Sequence, residues 1–179
     1  TTGGTQTYII TQKVLGSSGS KTYDANTDAI ATNLTLSGIV SGQTLNKSGT
    51  YTLSSPNAAT YTITNLESAI SLSDGSGLAS NYKLATGTHN FTVNKRVVNV
   101  SGTRLYNALN TAVASDLSTM TNLVGSETLV LSNSGTLANA NVGSNKTVTI
   151  GSLSLGNGSN GGLAANYTCL LYTSDAADD

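Results

Sequence analysis

Along much of the chain the apolar residues fall on alternate positions. Phe91 and Val93 alternate with polar neighbours, and Tyr61-Thr62-Ile63 and Val148-Thr149-Ile150 set apolar residues either side of a threonine. A period of two is that of a half-buried strand, and threonine and β-branched residues suit strands. Ile30, Leu34 and Leu36 share one parity, as do Val113 and Leu117, so residues 30–36 and 113–117 are expected to be strands. Residues 13–15 and 96–98 should open further strands, each followed by a bend at Ser-Gly. Residues 65–72 would admit one helical turn, but their counterpart 151–155 would not, so both are expected to be strands. Asp74-Gly75 and Asn157-Gly158 mark tight turns, because glycine accepts positive φ.

The pattern repeats. Gly4/Gly87, Val14/Val97, Ser18/Ser101, Gly19/Gly102, Tyr23/Tyr106 and Ala25/Ala108 all stand 83 residues apart. Val40 to Leu45 matches Val124 to Leu129 at 84, and Gly77 to Tyr82 matches Gly162 to Tyr167 at 85. The drift falls in polar stretches between strands, where a shared fold absorbs insertions. A tandem duplication predicts two modules with this organisation. Residues 1–11 are the closing strand of a preceding module, 12–94 are a complete module, and 95–168 are a second module lacking its last strand. Residues 169–179 read in one frame as the translation of a sequencing-library transposase adapter. Each module has about seven short strands with frequent turns, the signature of a small antiparallel β-sandwich of Ig-like type. A β-grasp-like or partial barrel is the alternative. A parallel β-helix would show a period of roughly 20 to 30 residues, which is absent.

Composition narrows the chemistry. The 179 residues carry a formal charge of −1, so nothing attracts nucleic acid, and no run is long and apolar enough for a membrane span. One cysteine, Cys169, excludes an intramolecular disulfide and a cysteine metal site. His89 is the single histidine and is expected at an exposed position. The acids Asp24, Asp28, Glu67, Asp74, Asp116 and Glu127 would have to supply any carboxylate pair, and turn roles explain them better. Asp74-Gly75-Ser76-Gly77 lacks the further carboxylates of a calcium loop. Triplets of Asn-x-Ser/Thr are about as frequent as chance gives for 19 Asn. No catalytic, cofactor-binding or metal-ligating residue is expected. Tyr23, Tyr82, Tyr106 and Tyr167 recur in both copies and are expected to be buried anchors.

The set SG-x-x-x-Y-D/N-A, a mid-module G-x-T-L and a closing A-x-N-Y resembles the YDG/MBG-type repeats of bacterial surface proteins, over residues 4–168. The signature Tyr-Asp-Gly reads Tyr23-Asp24-Ala25 and Tyr106-Asn107-Ala108 here. The resemblance implies repeat domains of large secreted or cell-surface proteins, including filamentous-haemagglutinin-like adhesins. It implies a structural spacer without catalysis, whose partners are neighbouring modules of the same chain. The alternative is an adhesion module that binds host glycan or protein.

Overall fold

The computed structural model describes residue 4 and residues 7–169. The chain divides into two compact units: Thr1–Lys21 with Asn26–Val93, and Thr22–Ala25 with Asn94–Asp179. Among the described residues all regular structure is β, interrupted only by single 3-10 turns.

The first unit is built from β1 (Lys13–Thr22), β2 (Asp28–Ile30), β3 (Leu34–Ser37), β4 (Leu45–Thr52), β5 (Ala59–Thr64), β6 (Ile70–Asp74), β7 (Tyr82–Leu84) and β8 (Thr88–Asn94). One sheet has the order β3-β1-β8-β5 with β7 also on β1, and a second has the order β2-β4-β6. The pairs β1/β3, β2/β4, β4/β6 and β5/β8 run antiparallel, and none of them joins strands consecutive in the chain. The pairing of β1 with β7 is parallel, with Lys13 opposite Tyr82 and Leu15 opposite Leu84. β8 advances along β1 in the same sense, since Ser17 meets His89 and Gly19 meets Phe91. The expected all-antiparallel sheet is therefore corrected to a mixed one. The chain leaves β1, crosses to the second sheet and returns, and a returning strand laid beside the first can run with it.

The core of this unit is Leu15, Leu34, Leu53, Ile63, Leu66, Ile70 and Phe91, all essentially without solvent contact. Phe91 presses on β1 at Gly19, where a Cβ would lie 2.8 Å from its ring. That glycine keeps β1 straight and close-packed, so the expected bend at Ser18-Gly19 does not occur. The expected strand over 30–36 is likewise two strands joined by a 3-10 turn at Ala31–Asn33. The turn changes which parity faces inward. Ala29, Ala31 and Leu34 are buried, whereas Ile30 is exposed. Residues 65–72 hold a 3-10 turn at Leu66–Ser68 and only then a strand.

The second unit contains β9 (Arg96–Ser101), β10 (Thr111–Val113), β11 (Thr119–Thr121), β12 (Leu129–Ser132), β13 (Ser134–Leu137), β14 (Val148–Thr149), β15 (Ser154–Asn157) and β16 (Tyr167–Cys169). Its sheets have the orders β11-β9-β16, β10-β13-β14 and β12-β15. The parallel pair recurs, with Tyr167 opposite Arg96 and Cys169 opposite Val98. A 3-10 turn at Ala114–Asp116 ends β10, so residues 113–117 are not one strand. The left-handed backbone positions also repeat: Ala25 with Ala108, Gly38 with Asn122, and Gly49 with Asn133. At Gly49 a Cβ would come within 2.1 Å of the Ala69 carbonyl oxygen. Its counterpart Asn133 separates β12 from β13, which in the first unit are the single strand β4. Of the adapter reading of 169–179, only Cys169 is described, at the end of β16; residues 170–179, and any closing strand there, lie outside the described residues.

Candidate functional site

The densest polar arrangement lies inside the second unit. Tyr23, two residues after Lys21 and at the close of the long β1 run, packs as a member of this unit. Its amide donates to the Asn94 carbonyl at 2.9 Å. Its ring meets the edge of Tyr167 at 5.4 Å between centroids and 78° between planes, the favoured T-shaped contact. Both rings are buried.

Glu127 closes the cluster. Tyr23 Oη donates to Glu127 Oε1 at 2.7 Å, and Tyr167 Oη donates to Oε2 at 2.6 Å. One carboxylate thus satisfies two phenols that would otherwise be buried without partners, which costs about 1 to 3 kcal/mol each. The Val124 amide donates to Tyr167 Oη at 3.0 Å. Arg96 donates through Nη1 to the Tyr23 carbonyl at 3.4 Å, and through Nε and Nη2 to Asn122. Burial, the bond to Glu127 and the like charge of its carboxylate push the Tyr23 hydroxyl up to about 12, while the Asn166 side chain pulls the other way. Burial, then the bond to Glu127, also raises Tyr167. Phenols held this firmly in the neutral form are poor bases and poor nucleophiles at neutral pH, so the cluster is suited to fastening rather than to catalysis.

The first unit carries the same acceptor half. Tyr82 Oη donates to Gln43 Oε1, and the Val40 amide donates to Tyr82 Oη at 3.3 Å. Val40, Gln43 and Tyr82 are the repeat counterparts of Val124, Glu127 and Tyr167. The expectation of four buried tyrosines therefore fails at one position. Tyr23, Tyr82 and Tyr167 are buried, but Tyr106 is 64% exposed. No strand covers residues 102–110.

His89 is buried, not exposed as its sequence position suggested, because it shares the inward parity of Phe91 and Val93 on β8. Its Nε2 lies 3.1 Å from the Ala85 carbonyl, which can only accept, so this nitrogen carries the proton. In the neutral ring Nδ1 accepts from Ser17 Oγ, 2.8 Å away. The pair resembles a nucleophile and base, but the third partner is a backbone carbonyl and not a carboxylate. A satisfied core histidine describes it better.

The acids are dispersed. Asp74 Oδ1 accepts from the Ala79 amide at 2.7 Å, and Asn157 Oδ1 accepts from the Ala164 amide at 2.9 Å in the second copy. A role that survives the change from Asp to Asn needs an acceptor and not a charge. Asp116 lies 3.7 Å from Arg104. Among the described residues no three metal-type ligands gather. The role of Glu127 was missed in the sequence, where it was one of six scattered acids. The matched Gln43/Glu127 position, each before a Thr-Leu pair, was the available signal.

A cleft of about 730 Å³ opens in the second unit, lined by Val100, Leu105, Tyr106, Leu117, Val142 and Val148 among others. In the first unit β8 separates β1 from β5, whereas their counterparts β9 and β14 have no described strand between them. The cleft lies against both of those strands.

No curated protein and no solved structure matches the chain. No helix among the described residues is long and apolar enough to cross a membrane. Residues 92–176 match the family model of the YDG domain, a span that includes Tyr106-Asn107-Ala108, Glu127 and Tyr167, and this match supports a YDG-type domain over that segment.

Proposed function

We propose that the protein is a structural spacer: a stalk repeat of a large bacterial secreted or cell-surface adhesin, acting outside the cell and without catalysis. Each unit is read as a small sandwich or partial barrel joined in tandem to others of its kind. The observation that carries this is the parallel pairing of the first strand of each unit with a late one, β1 with β7 and β9 with β16. When the first strand of a unit and a late strand parallel to it are pulled from opposite ends, their ladder is loaded in shear. All its hydrogen bonds must then fail together, whereas antiparallel hairpin strands peel one bond at a time. Neutral, satisfied phenol clusters and polar surfaces serve the same end.

The alternative, recognition of host glycan or protein, is favoured by one observation, the cleft edged by exposed Leu105, Tyr106 and Val142. A glycan array probed with the whole chain separates the two. The spacer reading expects no saturable binding. A defined glycan whose binding is lost in Val142→Asp would transfer the function to the cleft.

A further inference from the structure

Tyr106 stands where Tyr23 stands, 83 residues on, in a loop of the same construction. Ala25 and Ala108 both have φ of 62°. Lys21 Nζ donates to the Asn26 carbonyl, and Arg104 Nη2 donates to the Leu109 carbonyl at the equivalent place. The loop is thus braced to present its tyrosine in both copies, yet Tyr23 is buried while Tyr106 and the neighbouring Leu105 face solvent.

The first unit shows the complementary half. Around Tyr167, with Tyr23 in place, Asn166 is completely buried and Val124 and Glu127 are half-buried. Around Tyr82, the counterparts Asn81, Val40 and Gln43 are all exposed, and Leu78 is 58% exposed against 36% for Leu163. The Tyr82 hydroxyl is already oriented by Gln43 and Val40 as Tyr167 is by Glu127 and Val124. Lys13 is exposed at the position where Arg96 donates to the Tyr23 carbonyl.

We propose that the Tyr106 loop docks on the first unit of a second copy of this chain, its ring against Tyr82 and its hydroxyl between Gln43 and Asn81. Gln43 Oε1 takes the Tyr82 proton, which leaves its amide NH₂ to donate to the incoming hydroxyl. Asn81 supplies a carbonyl oxygen to accept from it. Lys13 can donate to the Tyr106 carbonyl, and Val40 and Leu78 lose their exposure to water under the loop. Donor and acceptor are different surfaces, so the contact is heterologous and propagates head to tail instead of closing a dimer. The inference rests on the arrangement around Tyr23 and not on the spacer reading, because an adhesion module could be joined in this way.

Sedimentation of the full chain from micromolar to millimolar concentration tests it. The parent should grow with concentration beyond a dimer. Tyr106→Ala removes the donor and Leu78→Glu blocks the acceptor, and both residues are exposed, so both variants should melt with the parent. Each alone should associate at least about tenfold more weakly, as loss of a buried aromatic anchor does. Their equimolar mixture should form a heterodimer and nothing larger, since one sound donor and one sound acceptor remain. A parent that stays monomeric throughout overturns the proposal. So does Tyr106→Ala associating like the parent. Association that survives Tyr106→Ala but is lost on deleting residues 1–10 would instead assign the contact to strand addition by the N-terminal segment.

Discussion

Ala25 and Ala108 share a left-handed backbone, each with φ of 62°. That region costs a residue with a Cβ about 1 to 2 kcal/mol, and glycine much less. This is the position at which the YDG signature carries glycine, so the signature residue answers a backbone requirement that the present chain meets with alanine. Ala25→Gly and Ala108→Gly should each raise stability by up to about 1 kcal/mol, read as a higher urea midpoint with unchanged slope. A lower midpoint for both would show that the loop does not need this conformation.

Glu127 and the raised phenols predict behaviour in alkali. A group whose folded pKa lies above its unfolded value adds stability that is whole below the unfolded pKa. That stability disappears as pH rises through the folded value. For Tyr23 the window runs from the ordinary 10.0 to about 12. Absorbance titration should show the Tyr23 and Tyr167 phenols ionising above the ordinary tyrosine value, with loss of structure in the same range. Tyr23→Phe should lessen the decline in stability over that window, because only the raised Tyr167 phenol then remains in the cluster to ionise. Simultaneous titration of all the tyrosines below the window would contradict the cluster.

Phe91 and Tyr106 occupy opposite extremes of exposure. Phe91→Ala removes a wholly buried ring that presses on Gly19 and should cost about 3 to 5 kcal/mol. Tyr106→Ala should change the unfolding free energy of the isolated chain by less than about 0.5 kcal/mol. Equal effects in chemical denaturation would mean that the burial assignment is wrong.

Ser17→Ala leaves Nδ1 of buried His89 without its donor. The expected cost is about 1 to 3 kcal/mol by chemical denaturation. A catalytic pair predicts something different, loss of a hydrolytic activity with stability intact.

The duplication was legible because matched residues at one offset need no structure to be seen, and strand character followed from period two. What the sequence hid was contextual. The inward parity of residues 28–34 depends on a 3-10 turn that buries two alanines, and alanine carries little hydrophobic signal. The strand at Ser18-Gly19 runs straight because Phe91, some seventy residues away, fills the space above the glycine. Parallel pairing of β1 with β7 is a long-range outcome that local alternation does not encode. Tyr23 and Tyr106 are equivalent in sequence and opposite in burial, because burial depends on which acceptor each loop reaches. The Glu127 cluster is hidden for a related reason: its counterpart is Gln43, so the charge itself does not repeat.

The spacer reading stands or falls on how a unit bears force. In a Cys169→Ser background, handles at Gln12→Cys and Asn94→Cys pull along β1 and β8 and load the parallel ladder in shear. Handles at Thr44→Cys and Ser76→Cys peel the antiparallel pair of β4 and β6 from its end. Single-molecule pulling should give a markedly higher unfolding force for the 12/94 pair than for the 44/76 pair, in one cooperative step. Equal forces, or a lower force along the chain ends, would contradict a unit built to carry tension.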